Sequence, residues 1–329
     1  MFNPYPNTIG FPLRQGTRGT VQNQGDIDVN ILIVGAGAIG SLYGALLSKR
    51  NTVVLVGRTP HMTAIQHEGL TIKGKTQIHV SIPAVETFDK IQISPDLILI
   101  TVKSYDTEVA CRQILPYVHD DTMVMTLQNG LDNIEKMGQY IKKSHILAGV
   151  TMNGALISKP GEIHHTGKGE TILGTTDGRW SPQLETIVNI FKDAGIQTRI
   201  SDDIVREIWM KAIINSSINP ITAFLGCKNG YLLENPILKN IVEQVCHEST
   251  TIAASEGISV TPTEMIEKTI RVIRDTAQNY SSMVQSVRQG KKTEIDSING
   301  ALMRSGIKHD IDVALNKILM ELIMSLQMC

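Results

Sequence analysis

Residues 30–40 read Asn-Ile-Leu-Ile-Val-Gly-Ala-Gly-Ala-Ile-Gly. Ile31 to Val34 form an unbroken apolar run, the pattern of a strand buried on both faces. Gly35, Gly37 and Gly40 follow at G-x-G-x-x-G spacing, with Ala36, Ala38 and Ile39 between them. Gly35 lets the chain turn sharply out of the strand. Gly37 has no Cβ to keep a pyrophosphate from the backbone, and Gly40 lets the next helix lie close to the sheet. That helix aims free N–H groups and a positive partial charge at the phosphates. Ser41 to Leu47 supplies a plausible helix, and Val53-Val54-Leu55-Val56 is a second apolar run at β-α-β distance. The stretch predicts a dinucleotide-binding domain; the alternative is a phosphate-free tight turn in another α/β protein.

The second strand ends at Gly57-Arg58. An NAD-selective site would carry Asp or Glu near here for the ribose 2′-hydroxyl. Gly57 cannot do that, and Arg58 can pair with a 2′-phosphate, so NADP(H) is favoured over NAD; the bland alternative is a solvated loop arginine. Two further buried strands are expected, Asp96 to Val102, running into Lys103-Ser104-Tyr105-Asp106, and Thr122 to Leu127, running into Gln128-Asn129-Gly130. Ligands of open parallel sheets lie beyond the carboxyl ends of the strands, so Lys103 and Asn129 fall where cofactor or substrate would lie. Asn-Gly is also an ordinary turn pair.

The chain has 329 residues, 42% hydrophobic and 19% charged, enough for two domains with real cores. The formal net charge of −1 calls for no nucleic-acid partner. No apolar run reaches the roughly 18 residues of a membrane span. The four cysteines are scattered without a C-x-x-C; they read as reduced thiols of a cytoplasmic protein, and no metal site is expected. Residues 1–28 lack apolar periodicity and read as a flexible extension outside the fold. Their arginines resemble a transit peptide faintly, but serines and an amphipathic face are missing, and no signal-peptide core is present.

Short strands are expected at 70–72 and 78–82 as a hairpin-like insertion, and at 146–151, 161–166 and 170–174. His164 and His165 are adjacent and so point to opposite faces of a strand, which argues against a metal pair. A helix at 182–194 and a strand at 197–200 close this part. After Ser201-Asp202-Asp203, good helix-capping chemistry, the pattern turns helical, at about 203–218, 235–256, 262–275, 293–304 and 312–327. The expected organisation is therefore an α/β, Rossmann-type domain over 29–201 followed by an all-α domain over 202–329. The last helices are apolar enough for a homodimer face or, equally, for core.

Within the first long helix, Lys211, Asn215 and Asn219 recur every fourth residue. Each step turns the helix by only about 40°, so the three form one polar stripe on an apolar helix. Such a stripe faces solvent or lines a polar cleft; short asparagines suit the cleft better than an ordinary solvent face. Glu294, in Lys291-Lys292-Thr293-Glu294-Ile295-Asp296, opens a further helix, where it either turns inward or favours the helix N-terminus by charge.

From residue 29 to about 325 the chain resembles the ketopantoate reductases. The resemblance is carried by Gly35-Ala36-Gly37-Ala38-Ile39-Gly40, Val102-Lys103-Ser104, Gln128-Asn129-Gly130, Trp209-x-Lys211-x-x-x-Asn215-x-x-x-Asn219-Pro220, Ser281-Ser282-Met283 and Thr293-Glu294-Ile295-Asp296-x-x-Asn299-Gly300. The set in this order and spacing is far more specific than any member, and only the N-terminal extension departs from it. It implies NADPH-dependent reduction of 2-dehydropantoate to (R)-pantoate, a step toward pantothenate and coenzyme A. It further implies Lys211 as general acid and Glu294 as the acid that holds substrate and orients the lysine. Asn215, Asn219 and Ser282 match substrate-binding groups. Lys103 and Asn129 match cleft residues near nicotinamide and substrate, and Arg58 matches the 2′-phosphate contact. The same residues suit a reductase of another small 2-oxo acid. A non-catalytic NADP(H)-binding sensor need not keep Lys211 and Glu294 together.

Overall fold

The structure is a computed structural model that describes residues 29–327, so the extension expected over 1–28 lies outside the described residues. The strands are β1 (Asn30–Val34), β2 (Thr52–Val56), β3 (Leu70–Gly74), β4 (Ile78–Val80), β5 (Ala84–Val85), β6 (Leu97–Ile100), β7 (Met123–Thr126), β8 (Ile146–Thr151), β9 (Gly154–Lys159), β10 (Glu162–Gly167), β11 (Thr171–Thr175) and β12 (Thr198–Ile200). The α-helices are α1 (Ala38–Leu47), α2 (His61–Glu68), α3 (Thr107–Ile114), α4 (Asn133–Gly138), α5 (Pro182–Asp193) and α6 (Ile204–Leu225). They continue as α7 (Tyr231–Glu234), α8 (Pro236–Ser255), α9 (Pro262–Asp275), α10 (Ser282–Arg288), α11 (Ala301–Lys308) and α12 (Ala314–Leu326).

The main sheet runs β12-β11-β8-β7-β6-β1-β2-β5. Strands from β5 to β8 pair in parallel, and β11 runs antiparallel to β8. The chain passes from β1 to β2 on one side and later returns to β6 on the other. The crevice at the carboxyl ends of β1 and β6 is thus the topological switch point where such sheets bind ligands. The unbroken apolar runs are explained by two covered faces. Ile31 and Ile33 pack with Leu42 and Leu47 of α1 and Phe191 of α5. Leu32 and Val34 pack on the other side with Ala110 and Ile114 of α3 and Met137 of α4.

The expected hairpin at 70–82 is half of a second sheet, β4-β3-β10-β9. β3 pairs antiparallel with β4 and parallel with β10, which pairs antiparallel with β9. β9 escapes the sequence pattern because none of its residues is buried. The two histidines of β10 separate as alternation requires. His165 is buried and hydrogen-bonded to Thr76 and the Gly167 carbonyl, while His164 is exposed. No metal-holding group of His, Cys, Asp or Glu occurs among the described residues.

From α6 onward the chain is helical. Met210, Ile213, Ile218 and Ile221 of α6 pack with Val242 and Cys246 of α8 and Met265 and Ile273 of α9. α6 runs to Leu225, past the expected end at about residue 218. Proline has no N–H for the carbonyl four residues back, which is a cost of about 3 kcal/mol or more in a helix interior. Here that carbonyl, on Ser216, accepts from Asn299 Nδ2 at 3.2 Å. Asn299 lies on a π-helical turn, Asp296–Gly300, that leads into α11. Its amide also donates to Asn316 Oδ1 at 2.9 Å, and Asn316 in turn donates to Glu248 Oε1 at 2.8 Å. A buried polar network therefore ties α6, α8, α12 and the π turn together. Among the described residues no helix is long and apolar enough to cross a membrane.

Candidate active site

At the end of β1, Gly35 has φ +96°, and a Cβ there would overlap the backbone nitrogen of Val102. The N–H groups of Gly35 and Ala36 both donate to the Val56 carbonyl, at 2.9 and 2.8 Å, which pins the turn to β2. A Cβ on Gly40 would sit 2.5 Å from Thr101 Oγ1 and 2.6 Å from the Gly35 carbonyl, so this glycine allows α1 to lie against the sheet. Gly37 differs: the nearest atom to its Cβ position is 3.8 Å away, so the space over it is open to a ligand. Gly37 is also the N-cap of α1 and no side chain caps the helix, so the N–H groups of Ala38, Ile39 and Gly40 face that space. An open backbone cradle at an uncapped helix N-terminus fits a pyrophosphate.

Beside it lies a cavity of about 480 Å³, lined by Gly35, Gly57, Arg58, Asp106, Ala110 and Gln113 among others. Arg58 is 84% exposed at its side chain and forms an ion pair with Asp106 at 2.7 Å.

The carboxyl ends of β6 and β7 meet the helical part of the chain at Glu294. Its side chain is 6% exposed and pairs with Lys103 Nζ at 2.7 Å. The Ser104 N–H donates to Glu294 Oε1 at 3.3 Å and Asn129 Nδ2 to Oε2 at 3.5 Å. Glu294 precedes the π turn, and that turn is docked on the loop after β7. Gly130 has φ +102°, and a Cβ on it would lie 2.8 Å from Ser297 Cβ. The next N–H, of Leu131, donates to the Ser297 carbonyl at 3.0 Å. Glu294 thus turns inward, the alternative left open in the sequence. Ser282, on the first turn of α10, lines a small pocket with Lys103, Ser286 and Glu294. Ser281 caps that helix and hydrogen-bonds Thr222 of α6 at 2.9 Å.

Lys211 reaches across from α6 and donates to the Thr151 carbonyl at the end of β8, 2.9 Å away. Burial pushes its ammonium down to about 8, and the Glu294 carboxylate opposes that shift. A lysine tuned toward neutrality suits proton transfer near physiological pH. Asn215 is half-buried and Asn219 is 7% exposed. Neither side-chain amide has a partner within the described residues, although on the same helix every hydroxyl of Ser216, Ser217 and Thr222 is hydrogen-bonded. Two unengaged amides in line with a lysine form a surface ready for a polar ligand.

The family model described as "Ketopantoate reductase PanE/ApbA" matches residues 31–178, and its C-terminal counterpart, "Ketopantoate reductase PanE/ApbA C terminal", matches 203–327. The chain belongs to the ketopantoate reductase family. A curated relative, 2-dehydropantoate 2-reductase of Pyrococcus abyssi, is 37% identical over 298 residues, covering 90% of this chain and 97% of the relative. Among solved structures, the PanE/ApbA family ketopantoate reductase from Ralstonia eutropha JMP134 matches with a TM-score of 0.83 and 27% identity, over 91% of this chain and 98% of that one. D-mandelate dehydrogenase in a ternary structure with NADH and anilino(oxo)acetate matches with a TM-score of 0.84 and 26% identity, over the same shares of 91% and 98%.

Of the residues singled out in the sequence, the family fold brings Lys103, Asn129, Ser282 and Glu294 into one cluster, with Lys211, Asn215 and Asn219 on the helix beside it. Gly35 to Gly40 and Arg58 lie apart from it, around the cavity at the end of β1. Lys211 hydrogen-bonds a carbonyl rather than Glu294, whose carboxylate is taken by Lys103. Three features of the site were given no role from the sequence. Thr151 ends a parallel strand, the same signal that flagged Lys103 and Asn129. Asp106 stood in the quoted strand-end segment. The bond from Asn299 to the Ser216 carbonyl joins residues 83 apart, and no local pattern announces it.

Proposed function

We propose that the protein reduces 2-dehydropantoate to (R)-pantoate with NADPH, residues 29–201 forming the cofactor domain and 202–329 the substrate domain. The observation that carries this reading is the line of one buried-shifted lysine and two unengaged asparagines on α6, beside the Lys103–Glu294 pair at the strand ends. The open backbone over Gly37 would hold the pyrophosphate, and Arg58 the 2′-phosphate. The bound cofactor supplies a hydride to C2 of the substrate. Lys211 supplies the proton to the carbonyl oxygen, and its positive charge stabilises the developing alkoxide. Glu294, through Lys103 and Asn129, organises the polar wall opposite. Asn215, Asn219 and Ser282 orient the substrate's hydroxyl and carboxylate, so that the reacting carbon is held in place rather than met by collision.

Absorbance of NADPH consumed with ketopantoate and with a panel of other 2-oxo acids tests this. Ketopantoate is expected among the best substrates by kcat/KM; an ordering that leaves it behind the others removes the specific assignment. The likeness to D-mandelate dehydrogenase makes a bulkier, aryl 2-oxo acid the second reading, and the same panel decides between them.

A further inference from the structure

Arg58 does not wait for a phosphate as a free cation. Its guanidinium already pairs with Asp106, 2.7 Å away, inside the nucleotide cavity. Asp106 occupies the N-cap position of α3, yet its side chain accepts no hydrogen bond from that helix. An aspartate at an N-cap ordinarily turns its carboxylate onto the first N–H groups of the helix. This one is directed at Arg58 instead. The charges around the cavity deepen the point. Arg58 is the cation among its lining residues, against Glu86, Asp89 and Asp106. Glu86 is held aside by Thr63 at 2.8 Å, and Lys103, three residues before Asp106 in the loop after β6, is taken by Glu294 at 2.7 Å. A 2′-phosphate would bring close to two negative charges into this setting, whereas a ribose diol brings none.

Resting on the reading that Arg58 meets the 2′-phosphate, we propose that Asp106 is a specificity-determining residue for the cofactor: its carboxylate is the counter-ion of Arg58 and holds the preference for NADPH over NADH low. The pair is exposed, with side chains 84% and 33% accessible, so it is weak and exchangeable rather than a block. The phosphate takes Arg58 over, at the expense of the Asp106 contact. NADH makes no such demand and leaves the pair intact, with the second carboxylate oxygen of Asp106 able to accept from its ribose hydroxyls. The expected consequence is a protein that accepts both cofactors, with its discrimination set by competition between a carboxylate and a phosphate for one guanidinium.

The test is equilibrium binding of NADPH and of NADH, by quenching of protein fluorescence, to the full chain and to Asp106→Asn, Arg58→Ala and the double variant. No 2-oxo acid is present, so the outcome is independent of the substrate assignment. Asp106→Asn is expected to raise the NADPH-to-NADH affinity ratio about fivefold, the factor that matches an exposed ion pair. In the Arg58→Ala background the same change is expected to have little effect, because the counter-ion then has nothing to neutralise. A ratio unchanged by Asp106→Asn, or a gain of equal size without Arg58, overturns the role of Asp106 while leaving the phosphate contact standing. A ratio unchanged by Arg58→Ala overturns the phosphate contact itself, and the proposal with it.

Discussion

The proposed nucleotide end and the proposed substrate end of this protein are built from different materials. The nucleotide end is backbone. Gly35, Gly40 and the first N–H groups of α1 make the cradle, and the space beside each glycine is filled by neighbouring chain except over Gly37. The substrate end is side chains from distant segments: Lys103 after β6, Asn129 after β7, Lys211 on α6, Glu294 before the π turn. A backbone site is specified by a few contiguous residues and is rigid once the strand and helix form. A side-chain site requires every supporting element to be in register, so its accuracy depends on contacts between parts far apart in the chain.

The greatest loss is expected where a single side chain supplies the chemistry. Lys211→Ala is expected to lower kcat by about 10²–10⁴-fold, the span for a general acid. NADPH binding should hardly change, since Lys211 hydrogen-bonds Thr151 and not the glycine turn. Near-wild-type kcat would falsify the assignment and shift the proton to another donor. The pH profile sharpens the same point. A general acid works while protonated, and burial pushes Lys211 down to about 8. The reductive kcat should therefore be flat below that value and fall about tenfold per unit above it. A rate that keeps rising above pH 8 would mean that the group observed is not this ammonium.

A smaller loss tests the scaffold of the substrate end. Asn299→Ala removes the donor to the Ser216 carbonyl, which Pro220 has already deprived of its helical partner. Leaving that buried carbonyl unpaired is expected to cost about 1–3 kcal/mol in denaturant unfolding. Pro220→Ala restores an N–H four residues on, so the cost of Asn299→Ala should shrink in the double variant. Equal costs in both backgrounds would separate Asn299 from the proline, and α6 would need another explanation for running on to Leu225.

These two ends also explain what could be read in the sequence. The β1 run, the glycines and the strand-end positions of Lys103 and Asn129 are local signals with fixed periods, and the cofactor half follows from them. Lys211, Asn215 and Asn219 were legible because four-residue spacing on a helix is local too. Their surroundings were not. Whether Glu294 faced inward depended on Gly130 closing against Ser297, a contact across 167 residues of chain. The continuation of α6 depended on Asn299, and β9 shows no apolar alternation because it packs as an exposed edge. Pairings of this kind are chosen by tertiary packing, which propensity and pattern do not encode.

The smallest expected effect lies at the nucleotide end, where one side chain does join the backbone. His61 Nδ1 accepts from the Gly161 N–H at 3.0 Å, which puts the ring proton on Nε2, 3.0 Å from Ser41 Oγ. Ser41 Oγ in turn donates to the Ala36 carbonyl at 3.2 Å, inside the glycine turn. A second ring proton would set N–H against N–H at Gly161, and burial already lowers the pKa of His61. The folded value thus lies below the unfolded one of about 6.5. Between the two, the unfolded chain binds more protons, so stability is complete above about pH 6.5 and falls as pH drops toward the folded value. One such proton contributes a slope of at most about 1.4 kcal/mol per pH unit. His165, lowered by burial as well, adds to the same slope. Urea unfolding between pH 7.5 and 5.5 should therefore show a shallower slope for His61→Gln than for the wild type. An identical slope would mean that the turn is held by backbone alone, which is the strongest form of the contrast between the two ends.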